Sequence, residues 1–342
     1  MSVVRLPGDR SVRVHPRALA VVTGCVLLAL AVGVLTVGDG DYPMSPAEVL
    51  RTIAGAGTPA QDFIVNELRL PRVVTALLVG SALALAGALF QSLVRNPLGS
   101  PDILGFTQGA ATGALVVVVA GGGSLALSAG AVLGGVLTGV VIYALAWRGG
   151  LHGQRLVLIG IGAAAILTGV NGYLLTRAQH MEAARAVLWL TGSLDGRGWD
   201  DALPLLAAMA VLVPVVLLGC GRALHVIEMG DDLASGLGIR VERVRLVMLA
   251  AAVLLAALAA AAAGPVAFVA LVAPQVAKRM TGAPGPNLVA SMCTGAGLLV
   301  TADWAAQRLF GDHLLPVGVL TGVLGGGYLV WLLAVERRAG RI

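Results

Sequence analysis

Ten stretches of this chain are apolar for long enough to cross a bilayer, and their central portions carry no Asp, Glu, Lys or Arg. They lie near residues 17–37, 72–94, 103–121, 124–147, 155–176, 202–219, 246–263, 265–280, 287–302 and 314–335. Crossing roughly 30 Å of hydrocarbon takes about 20 helical residues. Backbone groups in that layer must be satisfied within the protein, so the runs predict helices. Composition leaves little room for another solution. Charged residues are 12% of the 342 and hydrophobic ones 58%, against about 25% and 45–50% in soluble domains. The expected fold class is an all-α integral membrane protein with about ten transmembrane helices. Several of these are short or proline-broken, with short interfacial and cytoplasmic helices between them. The first run exceeds the roughly 7–15 apolar residues of a signal peptide and reads as a retained helix.

Alternating the runs from a cytoplasmic N-terminus places sixteen of the 23 basic residues inside: Arg5, Arg10, Arg13, Arg17, Arg95, Arg148, Arg155, Arg222, Arg240, Arg243, Arg245, Lys278, Arg279, Arg337, Arg338 and Arg341. The remaining seven fall outside: Arg51, Arg69, Arg72, Arg177, Arg185, Arg197 and Arg308. That bias predicts both termini in the cytoplasm. The organisation that follows is a tail at 1–16, a membrane domain at 17–335 and a second tail at 336–342, with a cytoplasmic loop at about 223–244. The basic residues form no stripe interleaved with aromatics, so membrane lipid is an expected partner and nucleic acid is not.

Outside, Ser45 and Glu48 form a capping box around Pro46, with Val49, Leu50 and Ile53 on one face and Gly55 as terminator. A second short helix is expected near 181–190, with Trp189 and Trp199 as interfacial anchors. The pairs Gly130/Gly134 and Gly135/Gly139 and the series Gly318/Gly322/Gly326 have the four-residue spacing that permits close helix packing.

Enzyme chemistry finds no footing. The only lysine, Lys278, lies in "APQVAKRM", with no phosphate-cradling loop around it. His15, His152, His180, His225 and His313 sit in separate loops or tails, and Cys25, Cys220 and Cys293 are far apart, so neither a metal set nor a redox pair is expected. No cofactor is expected in this chain.

Prolines interrupt the pattern in three places. Pro71, between Arg69 and Arg72, marks an outer helix start. Pro97 and Pro101 forbid a continuous helix on the inner side, Pro265 marks another start and Pro274 falls within a helix. Broken helices at membrane depth persist only where protein or a water-filled path surrounds the freed backbone groups, which points to transport. An ion-coupled secondary transporter is one transport reading open on these residues. The apolar helix cores offer no interior ionisable group for proton coupling.

The segments "RLPR", "LALAGALFQSLVRNPLGSPDILG", "WLTGSL", "DLASGLGIRV", "GPVAFVALVAP" and "LPVGVLTGVLGG" come in this order between about 66 and 335. In that order and spacing the chain resembles the FecCD-type permeases of type II ABC importers, which carry ferric siderophores, haem or cobalamin. It departs from their pattern at Gln275, where histidine is frequent, and at Gly325, Gly326 and Gly327, where proline is usual. The resemblance implies a bacterial cytoplasmic-membrane permease that forms a pathway with a second permease subunit, a copy of itself or a paralogue. It further implies two cytoplasmic ATPase subunits, which bind the ATP and magnesium, and an extracytoplasmic substrate-binding protein. A ferric siderophore is the expected cargo, with haem or cobalamin as alternatives.

The resemblance also assigns residues. Arg69, Arg72 and Arg308 would meet carboxylates of the binding protein, which suits the guanidinium fork. Asn96, Pro97 and Leu98 would form the cytoplasmic gate, with the turn at Gly153 and Gln154 as a second candidate. The segment "EMGDDLASGLGIRVERVR" reads from its own residues as a short helix: Asp231 as N-cap, Asp232 in the first turn, Leu233 and Leu237 on one face, Gly238 as terminator. By resemblance it is the coupling helix, with Leu233, Ala234, Gly236 and Leu237 filling an ATPase groove and Asp231, Asp232 and Arg240 at its rim.

Overall fold

Helix formation follows the apolar runs. The structure, a computed structural model, describes residues 2–6, 10–148, 150–309 and 315–338. His313, Arg341 and the end of the C-terminal tail lie outside the described residues. The N-terminal tail pairs as an antiparallel ribbon, β1 (Ser2–Leu6) with β2 (Arg10–Val14), a feature the sequence did not suggest.

The helices are α1 (Pro16–Gly38), α2 (Pro46–Ile53), α3 (Pro59–Val94), α4 (Phe106–Val119), α5 (Ser124–Ala146), α6 (Gly153–Arg177) and α7 (His180–Leu190). After these come α8 (Trp199–Met229), α9 (Asp231–Gly236), α10 (Val241–Ala263), α11 (Val269–Thr281), α12 (Leu288–Arg308) and α13 (Val317–Arg338). Among the described residues, each of the ten apolar runs contains a helix. Among the described residues, seven helices are long and apolar enough to cross a membrane. At 14 and 13 residues, α4 and α11 fall short because irregular segments at 95–105 and 264–268 take up chain that the sequence had assigned to helix.

Two expected starts move. The helix holding Pro71 begins at Pro59 and passes through a π-helical stretch, Phe63–Arg69, before Pro71. Pro265 does not open a helix; α11 begins at Val269, after Phe268 in a left-handed conformation (φ 66°). Pro274 lies inside α11 as expected, and α8 contains Pro204 and Pro214, with a π-helical stretch, Val215–Cys220, directly after Pro214. Proline withholds one backbone donor, and a widened turn is one way for a helix to continue past the gap.

The core is formed by α3, α10 and α12, whose apolar windows are 78%, 72% and 61% buried. The windows of α1, α5, α6 and α8 are only 17–28% buried, which leaves apolar faces for lipid or another subunit. Small residues allow the central contacts. A Cβ at Gly87 would collide with the Ala270 carbonyl of α11, and one at Gly80 with the Gly295 carbonyl of α12. Gly130 and Gly134 interlock with Gly113 and Gly109 of α4, while Gly135 and Gly139 meet Ala257 and Val253 of α10. Gly318 rests on the Thr191 carbonyl, but Gly322 and Gly326 face open space, contrary to the packing expected of them. Gly325 gives the departure from proline a reason: the Phe268 ring occupies the place of its missing side chain.

The Ser45 capping box is present, and Gly55 lies just beyond α2 with φ 81°. The apolar face differs from the expectation. Val49 and Thr52 are buried, whereas Leu50 and Ile53 are exposed. Nor are the two tryptophans simple lipid anchors: Trp199 Nε1 donates to the Asn66 carbonyl (2.9 Å), and Trp189 packs beside buried Ala110 and Ala114.

Candidate functional site

Side-chain contacts gather several connections at two ends, Arg95 with Asp231 at one and Arg72 with Asp195 and Asp303 at the other. At the end expected in the cytoplasm, α3 stops at Arg95, held in the left-handed region (φ 53°). Pro97 cannot supply the next helical donor. The turn closes instead through the Asn96 side-chain oxygen, which accepts from the Leu98 amide (2.9 Å), and the Asn96 carbonyl, which accepts from Gly99 (3.0 Å). Asn96, Pro97 and Leu98 are all exposed. Gly153 opens α6 directly against Val94, where a Cβ would lie 2.9 Å from the Val94 Cα, and Gln154 beside it is exposed. The two gate candidates are therefore neighbours, although the residues between them span all of α4 and α5.

A cleft of about 400 Å³ lies beside the first turn, lined by Gln91, Arg95, Asn96, Glu228, Gln275 and Lys278 among others. Gln275, the departure at the frequent histidine position, donates to the Gln91 side chain (2.5 Å), which in turn donates to the Leu271 carbonyl (3.0 Å). The amide therefore ties α11 to α3 in a neutral form that no pH change disturbs.

The helix α9 is anchored by one small residue. Ala234 is fully buried against Ile227 and Val241, so it faces its own chain and cannot enter a partner's groove. Leu233 and Leu237 are 50% and 66% exposed. A Cβ at Gly236 would meet open space, and Asp232 and Arg240 are exposed. Gly238 has φ 80° and ends the helix as expected; the Ile239 amide returns to the Ala234 carbonyl (3.0 Å). Asp231 is not the N-cap. Gly230 occupies that position, and the Asp231 carboxylate turns instead to Arg95 (2.5 Å) and Arg245 (2.8 Å).

At the opposite end the three docking candidates all hold acceptors within the chain. Arg72 grips Asp303 with two parallel bonds (3.0 and 2.9 Å) and also reaches Asp195 (3.2 Å). Arg69 donates to the Val37 carbonyl (2.8 Å). Arg308 pairs with Asp39 and lies over the Trp304 ring, yet its side chain stays 56% exposed. It is the most open of the three.

Between the ends the broken helices meet one another. Ser193 donates its amide to the Ala263 carbonyl (2.8 Å), and Gly318 donates its amide to the Gly192 carbonyl (3.0 Å). The Ala263 carbonyl, left without a helical partner where α10 ends, is therefore taken by the "WLTGSL" turn, and the same turn accepts from the start of α13. The "SPD" turn at Pro101 packs into the same region. Asp102 has carboxylate oxygens without solvent access or a well-formed hydrogen bond. The Phe268 amide and the Thr107 hydroxyl face it.

Residues 26–335 match the FecCD transport family. The chain belongs to that family. It is 43% identical over 321 residues to the ferric enterobactin transport system permease protein FepG of Escherichia coli (strain K12), spanning 94% of this chain and 96% of the relative. The achromobactin transport system permease protein CbrC of Dickeya dadantii (strain 3937) is 39% identical, over 91% and 90% of the two chains. A solved structure titled "An inward-facing conformation of a putative metal-chelate type ABC transporter" aligns with TM-score 0.83 at 26% identity, covering 92% of this chain and 99% of that one. This FecCD chain is a multi-pass membrane permease, and the family resemblance drawn from its six segments holds.

Sequence reasoning missed the ionic contacts of this FecCD permease. Asp39, Asp195 and Asp303, which receive the outer arginines, and Glu242, which holds the amide of Leu151 (3.0 Å), carried no motif. The one available signal was economy: a chain with so few charges keeps an acidic residue beside a membrane run only where it has a partner.

Proposed function

We propose that this chain is the permease subunit of an ATP-driven importer for a ferric siderophore and forms the pathway with a second permease subunit. Two cytoplasmic ATPases drive it, and an extracytoplasmic binding protein delivers the cargo. The observation that carries the reading is α9. A family permease that exposes Leu233 and Leu237 side by side on a charge-rimmed helix, while anchoring that helix by Ala234, presents an apolar contact to a partner. The ATPase is the partner that such a permease requires at this end. Arg308, the open arginine at the other end, supports docking of the binding protein there; Arg69 and Arg72 would contribute by holding the same surface in shape. Asn96, Pro97 and Leu98, with Gly153 and Gln154, would close the inner mouth. The cargo follows from the named substrates of the relatives, enterobactin and achromobactin complexes.

The test is uptake in cells that lack their own chelate permeases but express this chain with its partners. Ferric tris-catecholate, ferric citrate, ferric hydroxamate, haem and cobalamin are supplied in turn. Accumulation of an iron–siderophore complex above the others is expected. Uptake of haem or cobalamin alone would replace the cargo assignment, and uptake of nothing with all partners present would remove it.

A further inference from the structure

We infer that Asp231 is a positioning residue that makes the coupling segment and both inner turns move as one body. It acts through the charged series Arg95–Asp231–Arg245–Glu242. The inference rests on the reading of α9 as the ATPase contact and extends it to how motion reaches the gate.

Asp231 is the first residue of α9 and binds in two directions. Toward the first turn, it accepts from Arg95 Nη2 (2.5 Å), and the same nitrogen donates to the Ile227 carbonyl (2.8 Å). Arg95 is the residue immediately before Asn96, and its left-handed backbone is costly for a side chain with a Cβ. The two acceptors account for its staying there. Toward the second turn, both Asp231 oxygens accept from Arg245 Nη2 (2.9 and 2.8 Å). Arg245 then donates through Nη1 to the Leu151 carbonyl (3.1 Å), while Glu242 accepts from the Leu151 amide (3.0 Å). Both main-chain groups of Leu151 are thus fixed by α10, two residues before Gly153.

Charge-assisted bonds of this kind are directional, whereas an apolar contact can slide. Arg245 is the inner member of the series, with its side chain 12% exposed against 41% for Asp231 and 43% for Arg95, so the contact on that side is less open to solvent than the one with Arg95. A displacement of α9 therefore pulls on both turns through Asp231, and without that carboxylate the helix keeps its own anchor at Ala234 but loses its link to them.

The experiment uses the full complex, the permease with its ATPase and binding protein in lipid discs, with Cys25, Cys220 and Cys293 replaced by alanine. Spin labels pair Ala56, on the opposite end, with Ser235 on α9, with Leu98 or with Gln154. In the parent chain all three distances should change together when ATP and vanadate are added. In Asp231→Asn, the Ala56–Ser235 distance should still change while the other two no longer follow. Transport per ATP hydrolysed should be largely lost while the ATPase stays bound. Asp231→Glu should restore both readouts. If all three distances still change in Asp231→Asn, the series transmits nothing and the inference is wrong. It is equally wrong if none changes while the ATPase remains bound, since Asp231 would then shape the ATPase contact itself. A parent chain in which Ser235 stays still would instead overturn the reading of α9 on which the inference rests.

Discussion

Arg72 and Arg308 each hold an aspartate, but the two aspartates differ in burial: the Asp303 side chain is 2% exposed and that of Asp39 is 26% exposed. Arg72→Gln strands Asp303, which is 2% exposed, and should cost about 3–5 kcal/mol of stability. Arg308→Glu should instead leave the melting temperature nearly unchanged and weaken binding of the substrate-binding protein. Unaltered affinity would dismiss Arg308 as a docking residue. The Arg72 pairing was not legible beforehand, because Arg72 and Asp303 lie 231 positions apart and no periodicity links them.

At the scale of elements, the sequence announces what is local. The Ser45 box, the stop at Gly238 and the turn after Arg95 depend on residues a few positions apart, and all were read correctly. The start of α11 was misplaced because Pro265 is compatible with a first helical turn and with an extended segment alike. The Ser193 amide, which takes the Ala263 carbonyl at the end of α10, belongs to a segment far away in the sequence. Face assignments failed for a related reason. Leu50 and Ala234 have the apolar character of buried and docking residues, and which way each turns depends on the helix packed behind it. The prediction for α9 accordingly narrows to its exposed pair. Leu237→Asp should insert normally, yet copurify poorly with the ATPase and lose ATP-driven uptake. Normal copurification with normal uptake would show that α9 is not the coupling contact.

For the whole molecule, hydrophobic runs locate the helices to within a few residues for most of the chain, since bilayer thickness and backbone satisfaction admit few alternatives. They say nothing of which helices lie at the centre. That follows from the glycine contacts of α3, α5 and α12, which only a structure brings together. A pathway that closes at the inner turns predicts that Leu98→Cys in paired permeases cross-links more strongly in one nucleotide state than in another. Equal cross-linking in every state would place the gate elsewhere.

The most direct measurement is uptake into proteoliposomes that hold the permease with its ATPase, with binding protein and ferric tris-catecholate outside and ATP enclosed. Accumulation should require ATP and the binding protein, and should persist when ionophores remove proton and sodium gradients. Accumulation without ATP that stops when those gradients are dissipated would contradict the account.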